Sequence, residues 1–117
     1  MDSKALKFIF DIQQACAAAE DFCTGITKEQ FESNDLLQAA VERKLEIIGE
    51  AVNQARKIDS ALGNSITTPD RIVALRNILV HYYWKVAPDI LWDIVQVHVP
   101  ALRKQVENII KDNPPVV

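Results

Sequence analysis

The sequence predicts an all-α protein, an antiparallel bundle of four main helices with a short extra helical turn. Three observations lead there. Apolar residues recur in steps of three and four along most of the chain. No segment sustains the period-two alternation of a half-buried strand. Only three Gly and five Pro stand among 117 residues, too few turn formers for a β fold. At 49% apolar composition a core is feasible and intrinsic disorder is excluded. The length suits one domain, read as residues 1–112, with 113–117 a frayed Pro-containing tail.

The first helix is expected from about Ser3 to Cys23, where Ala5, Phe8, Ile9, Ile12, Cys16, Ala19 and Cys23 form one stripe. Gly25 is its stop, and Thr27 with Gln30 three residues on forms a capping box for a short helical turn. A long helix follows from about Asp35 to Leu62. Its stripe of Leu37, Val41, Leu45, Ile48, Val52, Ala55 and Leu62 is widened by Leu36, Ala40, Ile47, Ala51 and Ile58, which implies contact on more than one side. Gly49 within it marks close approach of a neighbouring helix. Thr68-Pro69-Asp70 reads as a cap, a first-turn proline and a carboxylate at the positive helix end, opening a helix to about Trp84. Pro88 starts the last helix, which Pro100 should kink or split before it ends near Lys111.

A net charge of −3 makes general binding to nucleic acid backbone unfavourable, and DNA is not an expected ligand. No apolar run reaches the length of a membrane span, and Met1-Asp2-Ser3-Lys4 lacks a signal-peptide layout, so a soluble, cytoplasmic chain without membrane attachment is expected. Cys16 and Cys23 lie about 10.5 Å apart along one helix, too far for a disulfide, and read as packing residues. Neither has a metal-ligand neighbour. Glycine-rich phosphate loops, G-x-S-x-G, H-E-x-x-H and paired Glu-x-x-His motifs are all missing, so neither cofactor nor metal is expected.

Charge is nevertheless unevenly placed. From Arg71 to Pro88, eighteen residues carry no carboxylate, while Arg71, Arg76, His81 and Lys85 interleave with Tyr82, Tyr83 and Trp84. Such a strip is a candidate site for a phosphate-bearing ligand. Asn77 and His81 share one helix face, and Arg76 and Tyr83 share another. Arg76 and His81 diverge by about 140° on an ideal helix. They meet only if the helix loosens near His81 or a second copy completes the site, as in a symmetric dimer. Arg43, Glu46 and Glu50 read as a solvated ion-pair ladder. His98, between Val97 and Val99, reads as a packing or surface residue.

Arg76-Asn77 followed by His81-Tyr82-Tyr83 fits R-N-x-x-x-H-x-Y, and Arg43 to Ala51 ends in Ile48-Gly49-Glu50-Ala51. With Leu91-Trp92 and Val99-Pro100-Ala101-Leu102, these blocks resemble, in order and over nearly the whole chain, the HepT-like ribonuclease toxins. That family is a branch of the HEPN (higher eukaryotes and prokaryotes nucleotide-binding) domains. The resemblance implies a dimeric, metal-independent endoribonuclease toxin of a type VII-like pair, acting on mRNA or tRNA and silenced by a nucleotidyltransferase antitoxin. It implies catalytic roles for Arg76 and His81, supporting roles for Asn77 and Arg43, and AMP addition at Tyr83. Asn77 would orient the His81 ring across one helical turn. The alternative is a non-catalytic helical scaffold that holds a nucleotidyltransferase and nucleotides. Two departures from the family pattern, at Val86-Ala87-Pro88-Asp89 and at Thr68-Pro69, bear on the cleft rim.

Overall fold

The computed structural model describes residues 2–81 and 86–114, and every regular element among them is helical. The first helix, α1 (Ser3–Phe22), starts where Asp2 Oδ1 accepts the amide of Lys4 at 2.8 Å. Ala5, Ile9, Ile12, Cys16 and Ala19 are all fully buried along its inner stripe, as the spacing predicts. Gly25 takes φ +77°, a left-handed turn that costs a side-chain-bearing residue more. Immediately after it, Thr27 and Gln30 close both bonds of the capping box, at 2.9 and 3.1 Å, and start α2 (Lys28–Glu32). The purpose of α2 is Phe31, which is fully buried and stacks at a tilt against Trp92, centroids 5.4 Å apart.

The central helix, α3 (Asp35–Ile58), is capped by Asn34, whose Oδ1 accepts the Leu37 amide at 3.0 Å. Gln38 is buried on it because its Nε2 donates to the carbonyls of Phe31 and Glu32, both at 3.0 Å. Those bonds satisfy the end of α2 that no helix partner serves. The helix does not run on to Leu62 as its stripe suggests. Asp59 leaves helical geometry (φ −142°, ψ 97°) and its Oδ1 accepts the Leu62 amide at 3.1 Å, so α4 (Ser60–Asn64) begins instead. A short carboxylate side chain that caps the following turn competes with continuing the ladder. Leu62 stays buried, so the core contact survives the break.

Next comes α5 (Pro69–His81), whose first backbone bonds run from Arg71 and Ile72 to the Thr68 carbonyl. Thr68 has φ +55°, outside the extended region a capping side chain needs, and no side-chain cap by Thr68 is present among the described residues. Asp70 turns instead to Arg56 of α3, 2.5 Å away. The connection is held from elsewhere: Gln105 accepts the Thr67 amide at 2.9 Å and donates to the Thr67 hydroxyl at 3.0 Å.

The last long element is joined from α6 (Pro88–Asp93), a π-helical turn at Ile94–His98, and α7 (Val99–Asp112). Pro100 explains the split. It lacks an N–H and its ring would clash with the carbonyl four residues back, and a widened turn immediately ahead relieves both. Arg103 of α7 then reaches Glu20 of α1 at 2.5 Å and Glu107 at 2.9 Å. Four long helices, α1, α3, α5 and the joined α6–α7, thus form the bundle. Cys16 and Cys23 are buried free thiols, and burial pushes Cys16 up to about 12. No helix among the described residues is long and apolar enough to cross a membrane.

Candidate functional site

The sequence-predicted site rests on α5 and on the stretch of α3 beneath it. Gly49 sets the distance between them. A Cβ at that position would lie 2.3 Å from Arg76 Cβ, 3.0 Å from Arg76 Cγ and 3.2 Å from the Ile72 carbonyl oxygen. The stem of Arg76 therefore occupies the space that glycine leaves on α3. Its head is held by the next residue: Arg76 Nη2 donates to Glu50 Oε2. Glu50 Oε1 accepts from Gln54 Nε2 at 2.9 Å, one turn further along. Arg76 Nη1 donates to Asn77 Oδ1 at 2.5 Å. A continuous chain of polar contacts, Gln54–Glu50–Arg76–Asn77, thus crosses from α3 to α5.

Electrostatics follow from that chain. The hydrogen bond from Gln54, then that from Arg76, holds the Glu50 carboxyl below the usual carboxylate range, against a smaller opposing effect of desolvation. Glu50 is ionised at neutral pH and offsets the charge of Arg76. The strip without carboxylates is therefore not uncompensated, because α3 supplies the missing anion. Helical spacing alone puts Glu50 in a ladder with Arg43 and Glu46. The structure pairs Arg43 with Glu46 at 3.2 Å and sends Glu50 across to α5. The one sequence signal for this was Gly49, whose close approach puts the residue beside it within reach of the neighbouring helix.

His81 is the last described residue of α5 and is exposed, on the same outer face as Ala74, Asn77 and Ile78. The helix stays α-helical through His81, so loosening there does not bring it round to Arg76. Asn77 gives its side-chain oxygen to Arg76, not across the turn to His81. The structure thus brings Arg76, Asn77 and Glu50 together, and leaves His81 and Arg43 outside that cluster. Tyr83, with Tyr82 and Trp84, lies outside the described residues. His98 is exposed and 3.6 Å from Asp93.

A cleft of about 300 Å³ opens between α3, α5 and α7, floored by Leu45, Ile72, Leu75 and Leu102 with Arg71 and His98 beside them. Arg76, Asn77 and His81 do not line it. Chemically, the α5 site offers a fixed guanidinium, suited to an oxyanion, and an exposed imidazole with ring nitrogens able to carry a proton.

Comparison with known proteins places this site in context. The family described as Ribonuclease HepT-like matches residues 12–109. A Methanocaldococcus jannaschii protein named "Putative RNase" is 35% identical over 102 residues, covering 86% of this chain and 91% of its own. A second so named from that organism is 36% identical over 106 residues, covering 90% and 86%. The "Probable ribonuclease HepT" of Thermococcus cleftensis is 34% identical over 105 residues, covering 89% and 94%. No solved structure gives a significant match.

Proposed function

Because the chain belongs to the HepT-like ribonuclease family, we propose that it is a metal-independent endoribonuclease whose site is built on α5. The observation that supports this best is the seated Arg76, its guanidinium held at α3 with donors left over, beside an edge that exposes Asn77 and His81. On this reading Arg76 grips the scissile phosphate, where a permanent planar cation stabilises the added charge of the transition state. His81 moves the proton, taking it from the ribose 2′-OH as neutral imidazole or giving it to the leaving 5′ oxygen as imidazolium. The 2′ oxygen bonds to phosphorus, the bond to the 5′ oxygen breaks, and the products are a 2′,3′-cyclic phosphate and a 5′-hydroxyl.

Two copies complete the site. The outer face of α5 exposes Ile78 beside His81, an apolar side chain that a two-fold partner would cover while bringing its own Arg76 towards this His81. Within the cell the chain acts as a cytoplasmic toxin on mRNA or tRNA. A nucleotidyltransferase partner silences it by adding AMP to Tyr83, where an extra phosphodiester repels RNA.

Purified chain incubated with total RNA in EDTA tests the reading. Cleavage to cyclic phosphate ends is expected, with His81→Ala lowering the rate by a factor of about 10² or more, in line with loss of acid–base catalysis. Exposed His81 contributes little to folding, so the variant should melt with the wild type. Full activity in His81→Ala, or cleavage that needs added magnesium, would refute it. An inert chain that still binds a nucleotidyltransferase would favour the scaffold alternative.

A further inference from the structure

Both oxygens of Glu50 are spoken for, and neither bond is a ladder contact to a neighbouring Lys or Arg on its own helix. Oε1 is held by Gln54, and Oε2 by Arg76 from another helix. We infer that Glu50 is a positioning residue: it fixes the Arg76 guanidinium in the orientation that receives a phosphodiester. The inference rests on reading Arg76 as the phosphate-binding group.

Three constraints converge on that guanidinium. Gly49 seats the Cβ and Cγ of Arg76 directly on α3, so the stem has little freedom to swing. Glu50 and Asn77 each take one N–H, on Nη2 and Nη1 respectively. Among the described residues those are its two side-chain acceptors, which leaves three of the five guanidinium N–H donors for a ligand. A pair serving stability alone would be a weak device here, because Glu50 is 44% exposed and exposed ion pairs contribute little. Orientation is where such a clamp matters. A misplacement of about 1 Å at a reacting group costs up to about 10²-fold in rate.

The clamp also has an electrostatic consequence. Glu50 shares the positive charge of Arg76, so RNA meets a guanidinium that is well aimed but partly neutralised. Glu50→Gln keeps an oxygen that Arg76 can donate to but removes the charge. RNA should then bind as tightly or more tightly, while the less firmly held Arg76 stabilises the transition state less. A merely structural role would not separate binding from turnover in this way.

The experiment measures RNA cleavage by wild type, Glu50→Gln and Gln54→Ala, with melting curves for each. For Glu50→Gln, kcat is expected to fall by about tenfold or more while KM stays level or falls. Gln54→Ala, which frees only Oε1 of Glu50, should move kcat in the same direction by less. Wild-type kcat in Glu50→Gln overturns the inference, as does a rise in KM with kcat unchanged. A second readout does not depend on RNA: the ¹⁵N–¹H signal of Arg76 Nε, identified by its loss in Arg76→Lys. It should show hindered side-chain rotation in wild type and averaging in Glu50→Gln. Equal averaging in both overturns the hold by Glu50. A hindered wild-type signal in a protein that cleaves no RNA would instead refute the ribonuclease reading and leave the clamp standing.

Discussion

Both α1 and α5 pack on α3, and they do so differently. The first buries Ala5, Ile9, Ile12, Ala15, Cys16 and Ala19 within its twenty residues, and α7 covers it as well, locked by Arg103 to Glu20. The second buries Val73 among its thirteen, with Ile72, Leu75 and Leu79 only partly covered. Where α1 packs with a stripe of buried apolar side chains, α5 meets α3 at Gly49 through the stem of an arginine. One contact is spent on holding the bundle together. The other is spent on placing a charged group at an edge, and its outer face is left for something else. The lesson is that a helix contributing little to the core can still be fixed closely, if one glycine lets a functional side chain serve as the packing residue.

Substitutions that attack each contact should separate these uses. Ile12→Ala, in the fully buried stripe of α1, is expected to cost about 2–5 kcal/mol of stability, read by denaturant unfolding, and to lower cleavage only as far as it unfolds the chain. Gly49→Ala is expected to cost less, about 1–3 kcal/mol, because α5 can shift away from the added methyl. Its effect on cleavage should be the larger one, since the shift carries Arg76 with it. Ile78→Ser should leave folding of the single chain within about 0.5 kcal/mol, as surface changes do. It should weaken self-association in sedimentation runs, and cleavage with it. If Gly49→Ala lost stability but kept full activity, the distinction between the two contacts would fail.

Much of this was legible because the signals were local. The capping box of Thr27 and Gln30, the turn at Gly25, the start at Pro88 and the split near Pro100 each depend on residues within one turn of each other. The break at Asp59 was also local, but the apolar stripe that reaches Leu62 runs through it and hides it. Thr68 shows the reverse: its sequence matches a cap, and its left-handed backbone holds the side chain away from the geometry a cap needs. The Glu50–Arg76 pair could not be read from spacing, because its partners lie 26 residues apart and meet only through the tertiary approach at Gly49. Helix geometry shows that Arg76 and His81 diverge, and α5 keeps that divergence through His81.

That divergence leads to the measurement that bears most directly on the account. Arg76→Ala and His81→Ala chains, each inactive alone, are co-expressed with different tags and the mixed dimer is purified through both. In that dimer one cleft can pair the Arg76 of one copy with the His81 of the other, so about half of wild-type dimer activity should return. No recovery in a stable mixed dimer, with the wild-type dimer active, would contradict a site completed by a second copy.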